Sequence, residues 1–300
     1  QWSRQWFARQ SPVLLVALVV TAMCALWVPA EMRVQWDETN LLSTSRSMQD
    51  VRSAFVGTQA VPHQGSVQVI EYMVDKRPPL FPFLVSLLHD LTGFRIQNGF
   101  ACNLIVLFGL LAMVGTAVRD RFDKVSGSAA ILLVASVPLV IACARSAGFE
   151  LLSAALLTAC VLATLDYLRK PSAERLLWLM AAGLWFSYTR YESAAVFLVL
   201  LSYALWRTRG QWKWSNMAVC LGLFAALLTP IVLQYLHATQ RDFYSESDQG
   251  ALISAAHAGE HLPGLLGELF DPSPDAAFAG ILTWLGAIAA LVLLNAPGGR

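Results

Sequence analysis

Two adjacent carboxylates, Asp37 and Glu38, stand directly after the first apolar run of the chain. A carboxylate at the membrane surface can act as a general base that takes the proton of an attacking hydroxyl. A second carboxylate beside it can bind a metal or orient the attacking molecule. The alternative is ordinary solvated loop charge or helix capping, and the two residues by themselves leave both interpretations open.

A basic segment rich in proline follows in the same loop, where Lys76 and Arg77 precede Pro78 and Pro79. Proline fixes its own φ and forces the residue before it into an extended conformation, so Arg77 opens a stiff elbow. A cation held there can offset the charge that develops on a phosphate, and Lys76 is the first candidate. The alternative is that both basic side chains anchor lipid headgroups.

Two further turns carry charge: Arg145 and Glu150 bracket the first, and Arg190, Tyr191 and Glu192 form the second. Each has a local explanation, since Glu150 begins a helix whose dipole favours a carboxylate and Arg190 can pair with Glu192. Arg145 needs an anionic partner, which is either Glu150 or a substrate phosphate. Charge at one depth in several short turns predicts that they converge on a polar cavity.

A later loop holds His237, His257 and His261 together with acidic residues. His261 could complete a site for a divalent metal cation with a carboxylate of the first loop. The alternative is a set of solvated histidines without a ligand.

The composition places the chain in a membrane. It is 56% hydrophobic and only 14% charged, whereas soluble domains carry about a quarter charged residues. Its net charge of +1 leaves no basic stripe for a nucleic acid. Apolar runs near the roughly 20 residues that cross a bilayer predict about eight transmembrane helices, placed near 12–30, 99–118, 128–144, 151–168, 176–188, 193–206, 216–236 and 276–294.

The fifth and sixth runs are short and are predicted to form a hairpin that turns at residues 189–192; one long helix is the alternative. The run at 12–30 has the length of a span and no small-residue cleavage site, which favours a span over a signal peptide.

Lysine and arginine predict the orientation, because short cytoplasmic loops are enriched in them. With the N-terminus inside, 12 of the 21 basic residues fall in short inner connections. Residues 31–98 and 237–275 then form two large outer loops, which carry the candidate site. In the first loop, Leu41, Met48 and Phe55 recur at heptad spacing and predict an interfacial helix capped by Asn40. Residues 80–92 predict a second interfacial helix, ended by Gly93.

In their order and sidedness these motifs resemble a known group: Asp-Glu after the first helix, Lys-Arg-Pro-Pro-Leu-Phe-Pro at 76–82, Thr-Gly at 92–93, Ala-Arg-Ser-Ala-Gly-Phe-Glu at 144–150 and Thr-Arg-Tyr-Glu at 189–192. The resemblance is to the GT-C glycosyltransferases, and more narrowly to the branch that contains protein O-mannosyltransferases and lipid A aminoarabinose transferases. It covers roughly residues 10–210, and the basic Pro-Pro segment is its most specific part.

The resemblance implies a polyprenyl-phosphate sugar donor, inversion at the anomeric carbon and an active site between the first outer loop and the membrane. It makes Asp37 the catalytic acidic residue and Lys76 the cation on the donor phosphate. Asp75 matches a position that ligates a metal in some members. Arg190 departs from the lysine often found at its turn. Members usually have more helices and often a soluble C-terminal domain, so the chain is expected to be C-terminally incomplete.

The sequence therefore predicts an all-α polytopic membrane protein, a GT-C-like helical bundle with residues 1–300 as one module. Its predicted reaction is inverting transfer of a hexosyl or pentosyl unit to a hydroxyl of a protein, lipid or glycan, at the outer face of a bacterial inner membrane. The predicted site combines Asp37 and Glu38 as catalytic carboxylates with phosphate-binding and supporting groups at Lys76, Arg77, Arg145, Arg190, Glu150, Tyr191 and Glu192, and with Asp75 and His261 as metal ligands. A transporter or flippase for a lipid-linked or anionic substrate, and an assembly subunit without catalysis, are the alternatives.

The predicted orientation can be tested by cysteine labelling in a variant that lacks the five native cysteines. Single cysteines introduced at residues 60 and 245 should react with a membrane-impermeant reagent in intact cells, because both positions lie in predicted outer loops. A cysteine at residue 122 should react only after the cells are lysed. Labelling of residue 122 in intact cells would show that residues 80–92 cross the membrane.

Overall fold

The structure is a computed structural model that describes residues 4–63, 66–75, 77–211 and 214–239. Its elements, in chain order, are α1 (Arg4–Trp27), α2 (Gln35–Val51), β1 (Phe55–His63), β2 (Ser66–Val74), α3 (Leu80–Thr92), α4 (Gln97–Arg119), α5 (Lys124–Ala135), α6 (Pro138–Ala144), α7 (Glu150–Arg169), α8 (Ala173–Ser187), α9 (Tyr191–Thr208), a 3-10 turn (Arg209–Gln211) and α10 (Trp214–Thr239). The protein is thus an all-α polytopic membrane protein with a small β-hairpin in its first loop. The predicted helix at 276–294 and residues 240–275 of the predicted second outer loop lie outside the described residues, whereas residues 237–239 of that loop belong to α10.

Within the described ranges, three helical segments are long and apolar enough to cross a membrane: Arg9–Trp27, Gln97–Arg119 and Glu150–Arg169. The pair α5 and α6 makes a fourth if it is counted as one broken span. The sequence predicts one helix over 128–144, and this prediction is wrong: the chain bends by 76° between α5 and α6. Pro138 stands at the start of α6 and holds Val137 in an extended conformation, which ends α5.

In the described part of the chain, the buried apolar residues form three cores, one of which lies between α2, α3 and the starts of α4 and α7. Of the other two, the first joins α1, α4, α5, α6 and the start of α7 around Val13, Leu107, Leu111 and Ile131. Gly115 allows the close approach there, because a Cβ at this position would lie 2.6 Å from both Val13 Cγ1 and Ile131 Cδ1. The second core joins α7, α8, α9 and α10.

The predicted hairpin of the fifth and sixth spans is present as α8 and α9, which are separated by residues 188–190. Phe197 of α9 packs against Gly183 of α8, where any added Cβ would meet the ring. The two contact positions are equally far from the turn at Arg190, as an antiparallel helix pair requires.

At the opposite end of the bundle from that turn, Gln10 ties α1 to the end of α4. Its amide donates to Asp120 Oδ1 (2.9 Å) and accepts from Arg119 Nη1 (2.9 Å). Arg9, Arg119 and Lys124, which the sequence places in inner loops, lie at this end.

The first loop differs from its prediction in two ways. The helix α2 begins six residues before the predicted start, with Val34 as N-cap instead of Asn40, so Asp37 and Glu38 lie in its first turn. It ends at Val51, and Phe55 belongs to an antiparallel hairpin whose register runs from Phe55↔Val74 to His63↔Ser66. The predicted helix at 80–92 is confirmed as α3, and Gly93 ends it with a φ of 78°.

A buried histidine joins α2, α3 and the start of α4. His89 Nε2 lies 3.0 Å from Ser45 Oγ, and its Nδ1 accepts from the Asn98 amide nitrogen (2.7 Å). Because Ser45 Oγ already donates to the Leu42 carbonyl (2.7 Å), it accepts here, and the imidazole is neutral with its proton on Nε2. His89 therefore makes both bonds only in its neutral form, because a protonated Nδ1 could not accept from Asn98.

Burial lowers the pKa of His89, and this outweighs the Gly93 contact and the Asp50 and Asp90 charges, which raise it. The unfolded chain takes up the proton near pH 6.5. The stability that neutral His89 contributes is therefore complete above about pH 6.5 and is lost as the pH falls below that value toward the folded pKa.

This role can be tested by measuring the midpoint of unfolding in detergent as a function of pH. When the pH is lowered from 7.5 to 5, the midpoint should decrease in the wild type and decrease less in His89→Gln. Equal slopes in the two proteins would contradict this role.

Candidate active site

Four segments of the chain converge at one end of the bundle, which we call the site face: residues 28–38, the described residues 75 and 77–80, 145–150 and 188–192. Glu31 N donates to the Arg145 carbonyl (3.0 Å), and Leu80 N donates to the Tyr188 carbonyl (3.4 Å). The predicted convergence of the charged turns is therefore present in the fold, but the cavity beside them is mainly apolar and not polar as predicted.

Glu38 is 2% exposed, and backbone N–H groups bond both of its carboxylate oxygens. Its Oε1 accepts from Arg33 N (2.8 Å) and Val34 N (3.2 Å), and its Oε2 accepts from Ala147 N (2.7 Å). These bonds cap the start of α2 and fasten it to the turn before α7. A carboxylate used in this way is built into the fold, so its contacts favour the capping interpretation over a catalytic one.

Asp37 points elsewhere, although it is the neighbouring residue. Successive side chains of a helix diverge by about 100°, and the Asp37 side chain remains 47% exposed. Its carboxylate pairs with the guanidinium of Arg77, whose own side chain is only 12% exposed. Asp37 is therefore the accessible member of the predicted catalytic pair.

Asp75 lies behind Arg77 and is 3% exposed. Its Oδ2 accepts from Thr44 Oγ1 (2.9 Å), and its Oδ1 accepts from Arg77 N (3.0 Å) and lies 3.6 Å from Arg77 Nη1. The backbone is held from the other side by Gln234 of α10, whose amide donates to the carbonyls of Asp75 (3.1 Å) and Arg77 (3.0 Å). The stiff elbow predicted from the two prolines is thus fixed at both its side chains and its backbone.

The remaining predicted cations make local contacts. Arg145 Nε donates to the Val28 carbonyl (2.8 Å), which ties the end of α1 to the turn before α7. Arg190 lies over the ring of Phe149, with its guanidinium carbon 5.4 Å from the centroid, and its Nε is 3.4 Å from Glu192 Oε2. The pair of Arg190 and Glu192 is largely exposed, with side-chain exposures of 45% and 74%.

The predicted supporting residues begin helices at the site face. Glu150 is the first residue of α7, as predicted, and its carboxylate folds back over Gly148, where a Cβ would collide with it. Tyr191 is the first residue of α9 and is half-buried.

Lys76 and His261 lie outside the described residues, so their places in the site stay predictions. In the described part of the chain, no group of three or more histidines, cysteines or carboxylates is arranged to hold a metal. Asp75 is engaged with Thr44 and Arg77, and its role as a metal ligand also stays a prediction.

Sequence reasoning did not find Thr44, Gln234 or Asn103. Asn103 of α4 is fully buried and donates to the carbonyls of Ser146 (2.7 Å) and Gly148 (2.8 Å), so it holds the turn that Glu38 also binds. A polar amide inside an apolar span was a usable signal for Asn103 and Gln234. Thr44 gave no signal, because threonine on an amphipathic helix is ordinary.

A cavity of about 520 Å³ opens beside the site face between α2, α3 and α8. Its lining is mainly apolar and includes Met48, Arg52, Pro79, Leu80, Trp185 and Tyr188. One of the lining residues, Pro79, is only two positions after Arg77 in the sequence.

A family described as dolichyl-phosphate-mannose-protein mannosyltransferase matches residues 76–235, more than half of the chain. The matched segment begins at Lys76, so Asp37 and Glu38 precede it. No curated protein and no solved structure matches the chain.

The two neighbouring carboxylates should respond differently to loss of charge. Glu38→Gln places an amide NH2 or a weaker acceptor against three backbone N–H groups, and we expect it to lower the free energy of unfolding by about 1–3 kcal/mol. Asp37→Asn, the matched control, should have a clearly smaller effect because Asp37 is half-exposed. Unfolding by SDS in mixed micelles measures both. Equal losses would show that Glu38 is not the residue that fastens the site face.

Proposed function

The chain belongs to the dolichyl-phosphate-mannose-protein mannosyltransferase family, and on this premise we propose that it transfers a mannosyl unit, with inversion, from a polyprenyl-phosphate donor to an acceptor hydroxyl. The family's description favours a protein as the acceptor. The observation that carries the proposal is the half-exposed Asp37 at the site face, paired with a nearly buried Arg77. Asp37 precedes the segment that matches the family, and Arg77 lies at the start of that segment.

Asp37 is the proposed base. The acceptor oxygen attacks the anomeric carbon while Asp37 takes its proton, and the bond from that carbon to the phosphate oxygen breaks with its electron pair on the phosphate. Polyprenyl phosphate leaves as an anion, so no acid has to protonate it, and one carboxylate is sufficient for inversion. Glu38 and Asp75 are less suited to this step because buried donors already occupy them.

Arg77 is the proposed partner of the donor phosphate. A guanidinium presents several N–H donors in a plane and matches phosphate oxygens in pairs. We propose that Lys76, Arg145 and Arg190 also bind the phosphate. Lys76 lies outside the described residues, and of the two arginines Arg190 is the more exposed. Fixed cations at the leaving group stabilise the charge that develops there.

The cavity between α2, α3 and α8 suits the apolar chain of the donor. It starts at Pro79 and Tyr188, close to Arg77, and continues past apolar side chains of α3 and α8. A donor with its phosphate at Arg77 could therefore place its first isoprene units there. Because Arg9, Arg119 and Lys124 of the predicted inner loops lie at the opposite end of the bundle, we propose that the site face is the outer face of a bacterial inner membrane.

Asp37→Asn keeps the size of the side chain and removes its capacity to accept a proton. We expect the turnover of mannose from a polyprenyl-phosphate donor to fall by roughly 10²–10⁴ while the donor still binds. Asp50→Asn is the matched control, since Asp50 is an exposed carboxylate of the same helix that pairs with Arg46. Near-normal turnover in Asp37→Asn would remove Asp37 from the reaction.

A further inference from the structure

Arg77 lies between two carboxylates, Asp75 and Asp37, that differ in burial and in their hydrogen-bond partners. Asp75 is buried and is held by Thr44 and by the backbone N–H of Arg77. Asp37 is half-exposed and its described partner is Arg77 alone. The guanidinium thus has one permanent and one replaceable anionic neighbour.

The permanent neighbour is fixed by an arm of buried groups. Thr44 is fully buried on α2, and its hydroxyl donates to Asp75 Oδ2, which leaves Oδ1 for Arg77. A buried carboxylate that lost this donor would be left partly unsatisfied and would be free to turn. Thr44 therefore sets the direction of Asp75, and Asp75 sets the position of Arg77.

The replaceable neighbour is the proposed base itself. While Asp37 is paired with Arg77, its carboxylate is bonded to the guanidinium and is not free to contact an incoming hydroxyl. An arriving phosphate carries the same kind of oxygens and competes for the same N–H donors. It can displace the half-exposed Asp37 but not the buried Asp75.

We propose that Thr44 and Asp75 are positioning residues that hold Arg77 while its guanidinium exchanges Asp37 for the donor phosphate. Donor binding then uncovers the base, so that Asp37 accepts a proton only when a donor is in place. The inference rests on the proposed function, and it adds two residues and an order of events to it.

Competition between Asp37 and the phosphate has a measurable consequence. Removing the charge of Asp37 should tighten the binding of a synthetic polyprenyl monophosphate by roughly 5- to 50-fold, because its competitor for Arg77 is gone. In an Arg77→Gln background the same Asp37→Asn change should have little effect, since there is no exchange left to favour. Glu31→Gln, at an exposed carboxylate of the site face that has no proposed role in binding, controls for the general effect of removing a negative charge there.

A pair of Thr44 variants tests the positioning arm. Thr44→Val keeps the shape and removes the hydroxyl, and we expect polyprenyl monophosphate to bind about tenfold more weakly. Thr44→Ser keeps the hydroxyl and should bind within about twofold of the wild type. Equal binding in the two variants would overturn the role of Thr44. The comparison of Asp37→Asn in the wild-type and Arg77→Gln backgrounds leaves Thr44 and Asp75 unchanged. It therefore tests the exchange even if Thr44→Val fails to fold.

The outcomes separate the two proposals. If the wild type binds polyprenyl monophosphate and Asp37→Asn binds it no more tightly, the exchange is wrong and the proposed function stands. If Asp37→Asn tightens binding equally in the wild type and in Arg77→Gln, the effect is general electrostatics and the exchange is again wrong. If the wild type does not bind polyprenyl monophosphate, the proposed function fails and the exchange fails with it.

Discussion

The site face depends on one buried carboxylate. Glu38 accepts hydrogen bonds from the backbone at Arg33 and Val34, which begin α2, and at Ala147, which precedes α7. A buried anion with three donors is stable only in that arrangement, because each unsatisfied oxygen would carry the full cost of its lost hydration. The first loop is therefore tied to the bundle at the residue next to Asp37, and the direction of Asp37 follows from helix geometry.

Adjacent residues of the same type thus have separate tasks, one in the fold and one in the proposed reaction. The division follows from burial: a buried carboxylate with backbone N–H groups on both oxygens is inaccessible to a substrate, whereas a half-exposed one can exchange partners. Arg77 links the two halves of the site, because it is held by Asp75 from below and reaches Asp37 at the surface.

The sequence predicts the helices well because apolar length, basic clusters and terminal residues act locally. Gly93 ends α3 and Glu150 begins α7 as expected. Prediction from the sequence fails where the start or end of an element depends on residues far away in the chain. The start of α2 is set by Glu38 and Ala147, which are 109 positions apart. The heptad spacing extended a helix to Phe55 that the chain leaves at Val51, and Pro138 was not recognised as a break inside an apolar run. For the same reason, Asp37, Asp75 and Arg77 could be named as candidates from the sequence, but their contacts with one another and with Thr44 could not be predicted.

The most direct measurement is a structure of the protein with a polyprenyl-phosphate donor bound. The account predicts the phosphate on the Arg77 guanidinium, the Asp37 carboxylate released toward the anomeric carbon, and Glu38 unchanged on its three backbone donors. A phosphate bound elsewhere, with the pair of Asp37 and Arg77 intact, would contradict it.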